Sequence, residues 1–323
     1  MSFSELIGQP QAVALLERAI AQNRIAPAYL FAGPEGVGRG LAAKCFIELL
    51  FSGEGSKHRD PQQLQHRLKE GNHPDLLWVE PTYLHQSKLL TAKEAAEAGL
   101  KRRARPQIRL EQIRDIGRFL CRPPLEAART AVVLERAETM GEGAANGLLK
   151  TLEEPGPRVT LILIAPGVDS LLPTLVSRCM RIPFYRLDGE KMRQVLEKAG
   201  RPEVLANAEV MAMAQGSPGE AIASWQQLQE IPEEILRAAT KEIETIRQGL
   251  ELAREISKTL DTEGQLWLVD YLQHNLWRRQ HRLGEYRKQY LESLEKARRC
   301  LLSYVQPRLV WECTFMAMCE ARL

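Results

Sequence analysis

No Cys-x-x-Cys pair occurs anywhere in this 323-residue chain. Its six cysteines, at positions 45, 121, 179, 300, 313 and 319, are too scattered for a zinc ribbon and do not read as a disulfide framework, so reduced thiols and a cytoplasmic setting are expected. Long apolar runs are also missing. The longest, around Val159–Ala165, falls far short of the ~20 residues that cross a bilayer, and the opening stretch MSFSELIGQP has no basic patch followed by an apolar segment. Membrane insertion and export are therefore not expected. Nor does one sign of charge dominate: 44 Lys and Arg against 41 Asp and Glu give a net +3, so any electrostatic surface must come from local clusters. What remains is 44% hydrophobic, ordinary for a globular chain of two or three domains.

A more specific absence sits in GPEGVGRG, residues 33–40. Gly33, Gly36 and Gly38 stand where a phosphate-binding loop needs glycine, between a strand-like AYLFAG (28–33) and a helical GLAAKCFIELLF (40–51). The pattern then calls for a lysine to reach phosphates and a hydroxyl to hold magnesium. Arg39 and Gly40 occupy those positions. A planar guanidinium is not equivalent to a compact ammonium, and glycine has nothing with which to ligate a metal. In VVLERAE, Glu135 ends a strand where a metal-side acid belongs, and Arg136 follows where a base would polarise water. A cation cannot accept that proton. Losing one well-placed stabilising group commonly costs ~3–4 kcal/mol of barrier, and several are replaced here. The loop keeps a P-loop architecture without its chemistry.

The first half alternates strands and helices. TAVVLERAE (130–138) and VTLILIAP (159–166) read as buried strands of a parallel sheet. Between them Ala144, Ala145, Leu148, Leu149 and Leu152 make an apolar helix stripe that ends at Glu154, before Pro155. From Asp188 the β-rich runs stop. Segments 189–200, 202–216 and 219–229 read as short helices, and the remainder as a helical bundle, with Trp267, Tyr271 and His274 on one face and Tyr286, Tyr290 and Leu294 on another. These stripes are expected to be core. The expected division is an α/β domain over 1–186, a small helical domain over 187–235 and an all-helical domain over 236–323. The polar stretch 85–105, ending in KRRAR (101–105), is expected to be a solvated loop, with phosphate contact as the alternative. His58, His66 and His73 lack the spacing of a zinc site.

Six blocks carry a resemblance: residues 3–40, HPDLLWVEP (73–81), IRLEQIRDIGRFL (108–120), AANGLLKTLEEPGPRVTLILI (144–164), LLPTLVSRCMRIPF (171–184) and QGSPGEAI (215–222). Together they resemble the delta-prime family of bacterial DNA polymerase III clamp-loader subunits, covering most of residues 3–222. The resemblance implies an AAA+ P-loop domain (1–186), a helical lid (187–235) and an oligomerising helical collar (236–323). It implies that Arg178, within Ser177-Arg178-Cys179, is an arginine finger acting on the ATP of a neighbouring subunit. The partners implied are gamma/tau and delta subunits in a hetero-pentamer, the sliding clamp and primed DNA. Two departures are visible. The family's four-cysteine zinc module is reduced to Cys45, so no zinc is expected, and Gly219 and Glu220 replace the lid's sensor arginine. The expected function is a non-hydrolysing, stator-like part of the DNA polymerase III holoenzyme, with ATP binding not expected. Two alternatives stay open: an active gamma/tau-like ATPase that tolerates Arg39, or a DNA-binding AAA+ accessory protein that uses 101–105.

Overall fold

The computed structural model describes residues 3–53, 61–86, 88–98, 105–241, 243–283, 288–303 and 305–320. Two compact units emerge: one formed by residues up to Ala95, Pro106–Ala206 and Gln215–Glu220, the other by Ala96–Arg105, Asn207–Ala214 and Ala221 onward.

The first unit opens with α1 (Pro10–Ala21), β1 (Ala28–Ala32), α2 (Arg39–Phe51), α3 (Pro61–Glu70) and β2 (Leu76–Val79). There follow β3 (Tyr83–His85), β4 (Lys88–Leu90), α4 as far as Ala95 (the whole helix is Ala92–Glu97), α5 (Leu110–Leu120), β5 (Thr130–Leu134), α6 (Glu142–Glu153) and β6 (Val159–Ala165). It continues through α7 (Pro173–Val176), β7 (Met180–Pro183), α8 (Gly189–Lys198) and α9 (Pro202–Leu205). Five strands form one parallel sheet in the order β2-β5-β6-β1-β7. Parallel neighbours need crossover connections, and helices supply them.

β5 and β6 are buried along their whole length, as their unbroken apolar sequences require. Alternation then sends successive side chains to opposite faces. Leu30, Val132, Leu134, Leu161 and Leu163 pack with Ile113 and Ile116 of α5 and Leu148 and Leu152 of α6. Tyr29 points the other way and meets Phe46 of α2 edge-on, with centroids 5.1 Å apart. The helix over 142–153 ends at Glu153, with Glu154 as its cap, beside Pro155.

The stretch 85–105 departs from the expected loop over its described part. β3 and β4 form an antiparallel hairpin, Tyr83 opposite Leu90 and His85 opposite Lys88. Thr91 and Glu94 then start α4 with a reciprocal cap: Glu94 N–H donates to Thr91 Oγ1 at 3.3 Å, and Thr91 N–H donates to Glu94 Oε2 at 2.7 Å. The T-x-x-E signature was present in a segment read only for its polarity. Lys101–Ala104 lie outside the described residues.

The second unit contains α10 (Ala208–Ala214), α11 from Ala221 onward (the whole helix is Pro218–Glu230), α12 (Glu233–Thr240), α13 (Ile246–Thr259), α14 (Thr262–Leu283), α15 (Lys288–Leu302) and α16 (Pro307–Glu320). Its core gathers Ile235, Leu252, Ile256, Leu268, Val269, Leu294, Trp311 and Phe315. The segment 202–216, expected as one helix, is two. Asn207 interrupts it, its side-chain oxygen accepting from Glu209 N–H and Val210 N–H, each at 3.0 Å, to start a new helix. Trp267 and Tyr271 stack with centroids 5.2 Å apart, and Leu294 is fully buried. Tyr286 lies outside the described residues.

Candidate functional site

The glycine loop joins β1 to α2. Gly36 has φ +73° and Gly38, the N-cap of α2, has φ +102°, a region that side chains rarely enter. Space forbids a side chain at Gly36 as well: a Cβ there would lie 2.4 Å from Ser217 Oγ. The loop's carbonyls are bonded by the protein itself. Ser217 Oγ donates to the Glu35 carbonyl at 2.6 Å, Gly219 N–H donates to the Gly36 carbonyl at 3.0 Å, and Gln9 Nε2 donates to the Val37 carbonyl at 3.3 Å. Gly33 backs directly onto Phe184.

Arg39, the first residue of α2, is only 7% exposed. Burial is the largest effect and pulls its guanidinium below the ordinary arginine range; Glu35, Glu138 and Glu135 oppose it. Its Nη1 has no hydrogen-bond partner among the described residues, and neither has the buried Oε2 of Glu138. Burial pushes the Glu138 carboxyl up, against the pull of Arg136 and Arg39. Glu220, also pushed up by burial, feels Glu35 and Arg39 as well. Glu35, Glu135, Glu138 and Glu220 thus all lie within electrostatic reach of Arg39. Gly40 has open space where a Cβ would be, so packing does not impose its missing side chain.

Glu135 follows β5, and its Oε2 accepts from Trp78 Nε1–H at 2.8 Å. The Lys44 ammonium lies 5.4 Å from the centroid of the same indole. Both lie in a cleft of about 550 Å³ at the carboxyl ends of β2 and β5, with Glu80, Thr82 and Gln112. Arg136 is left-handed, at φ +52°, with Nε 3.9 Å from Glu138 Oε1. Gly33, Gly36, Gly38, Arg39 and Gly40 lie in or beside the connection after β1, and Glu135 and Arg136 in the one after β5, with β6 between the two strands; Arg39 feels the charges of both Glu135 and Arg136.

Ser177, Arg178 and Cys179 form a second group where α7 turns into β7. Arg178 Nη1 donates to the Thr174 carbonyl at 2.9 Å, and Nη2 donates to Glu153 Oε1 at 2.7 Å. Its side chain keeps 36% of its surface exposed. Ser177 Oγ donates to the Thr174 carbonyl at 3.1 Å. Cys179 packs against the sheet's core, and burial pushes its thiol up to about 11.

The histidines have local roles. His73 Nδ1 accepts from Asp75 N–H at 3.1 Å, and His66 Nδ1 lies 3.4 Å from Glu70 Oε2; His58 lies outside the described residues. Among the described residues no three His, Cys, Asp or Glu side chains are grouped to hold a metal. No helix of the described residues is long and apolar enough to cross a membrane.

Sequence reasoning missed four participants: Gln9, Trp78, Ser217 and Glu153. The GSPGEA segment was read for the arginine it lacks, although its serine and glycine are what meet the loop. Trp78 in HPDLLWVEP offered the one clear signal, an indole N–H near the end of a partly buried strand that needs an acceptor.

A parallel sheet in this order, a glycine loop leading from β1 into a helix, and an acid closing β5 define an AAA+ P-loop fold. A DNA polymerase III gamma-subunit-related protein from Thermotoga maritima superposes with a TM-score of 0.53 at 17% identity, covering 97% of this chain and 100% of that one, a likeness of fold. The chain belongs to the DNA polymerase III delta family, on its delta-prime branch. The family described as “DNA polymerase III, delta subunit” matches residues 8–188, and “Cyanobacterial DNA polymerase III delta prime, C-terminal domain” matches residues 190–318. DNA polymerase III subunit delta' of Bacillus subtilis is 31% identical over 180 residues, 55% of this chain and 48% of that protein. The subunit delta' of Pseudomonas aeruginosa is 33% identical over 201 residues, 60% and 54% respectively. The match thus spans about half the length of these relatives.

Proposed function

We propose that this chain is a non-hydrolysing subunit of a DNA polymerase III clamp loader, which completes a neighbour's ATP site with Arg178 while its own P-loop stays inert. The observation that carries the reading is the contrast between two arginines. Arg39, where a lysine would reach phosphates, is buried among Glu35, Glu138 and Glu135, whereas Arg178 presents its guanidinium at the surface. Further support comes from Glu135 held by Trp78 and from Arg136 in the place of a base.

On this reading the chain binds neither ATP nor zinc and works in the cytoplasm. It joins gamma/tau and delta subunits in a hetero-pentameric ring, through its helical collar, that opens the sliding clamp and places it on primed DNA. The division into AAA+ domain, lid and collar at residues 186 and 235 belongs to the same proposal. An arginine reaching another subunit's triphosphate stabilises charge on the transferring phosphoryl group and can be worth ~10³–10⁵ in rate at that site.

The test is Arg178→Ala in a complex reconstituted with the cognate subunits, clamp and primed DNA. The complex should assemble, and stimulated ATP hydrolysis should fall by the share of the one site this chain completes. Arg178→Lys should restore it only partly, because an ammonium keeps the charge but loses the planar fork. Full hydrolysis and clamp loading by the Arg178→Ala complex would refute the proposal.

A further inference from the structure

Arg178 is tethered, not free. Its two terminal nitrogens are anchored on two different pieces of chain: Nη1 on the Thr174 carbonyl of its own turn, and Nη2 on Glu153 at the end of α6. Glu153 is itself well placed, because it is the last residue of a helix that stops one residue before Pro155, with Glu154 N–H closing on the Lys150 carbonyl at 3.2 Å. An arginine side chain is long and rich in rotamers, and a guanidinium carries five N–H donors in a rigid plane. Two anchors fix that plane and leave the remaining donors to an incoming phosphate. With side-chain exposures of 36% for Arg178 and 50% for Glu153, such a pair adds little to folding stability. Its value lies in orientation.

We propose that Glu153 is a positioning residue for the ATP site completed in trans, holding Arg178 in the rotamer that meets a neighbour's phosphate. The role rests on the reading of Arg178 as a finger. It also gives a physical reason for the pairing of LEE (152–154) with SRC (177–179): the first supplies the carboxylate that aims the second.

The experiment uses the reconstituted complex with ATP, clamp and primed DNA. Glu153→Ala should lower turnover about two- to five-fold at the one site that Arg178 completes, the range over which a surface ion pair biases a side-chain equilibrium, so the total rate should fall by less than it does in Arg178→Ala, with KM for ATP and the thermal midpoint unchanged. Glu153→Gln keeps the acceptor oxygen and should restore most of the rate. In an Arg178→Ala background, Glu153→Ala should have no further effect, since nothing is left to aim. An unchanged or increased rate for Glu153→Ala overturns the proposal, as does a loss that adds to that of Arg178→Ala. A Gln variant no better than Ala would also overturn it, because the hydrogen bond would then not be the operative contact. If Arg178→Ala itself leaves turnover intact, the finger reading falls first and the Glu153 role falls with it.

Discussion

Gly219 rests directly on Gly36: a Cβ on the first would lie 2.6 Å from the second's Cα, and the Gly219 N–H donates to the Gly36 carbonyl at 3.0 Å. The glycine loop and the segment that follows α10 are in backbone contact, with no room for even a methyl group. Gly219→Ala should therefore destabilise the chain by about 1–3 kcal/mol, the usual range for overpacking. Gly36→Ala should lose more, because its φ of +73° adds backbone strain to the clash. Urea unfolding of both variants beside Gly40→Ala, which meets open space, makes the comparison internal.

Purified alone, the chain should hydrolyse no ATP above background, and Arg39→Lys should not rescue turnover. The substitution restores one ammonium but leaves Gly40 without a hydroxyl, Arg136 without basicity and Glu135 bonded to Trp78. A steady rate that disappears on mutating Gly38 or Glu135 would show the loop to be catalytic after all.

The half-buried Cys179 thiol, pushed up to about 11, should resist alkylation at pH 8, where about one molecule in a thousand carries the reactive thiolate. Cys121 and Cys313 are exposed and should be modified first. The same shift makes a statement about stability. An unfolded thiol ionises near pH 8.5, so as pH rises from there to about 11 the unfolded chain loses its proton first and the native state loses ground. Mass spectrometry after timed iodoacetamide exposure checks the reactivity, and urea unfolding repeated at pH 8 and pH 10 checks the stability.

The sheet was readable because β5 and β6 are fully buried, which forces an unbroken β-branched and apolar signature on TAVVL and VTLILIA. Glycine spacing between a strand and a helix located the loop in the same way. What the sequence did not disclose were contacts whose partners lie far apart in the chain, such as Ser217 with Glu35, Trp78 with Glu135 and Arg178 with Glu153. Each is a single polar bond between a common residue type and an atom that any sequence offers, so no local pattern announces it. The hairpin at 83–90 escaped for a different reason. Three-residue strands are too short for alternation to register against a polar background.

Strand β1 is flanked by β6 and β7, whose first residues are Val159 and Met180. During synthesis the strand that emerges earliest is the one whose neighbours on both sides emerge last. Until then AYLF leaves the ribosome as an apolar segment with two open edges, the kind of surface that pairs with the wrong chain. Gln9 repeats the arrangement at the level of one side chain, since its amide fastens both the N–H and the carbonyl of Tyr185. Through most of the unit's synthesis, the contact of Tyr29 with Phe46 of α2 is thus a native cover that β1 can gain before either sheet neighbour exists.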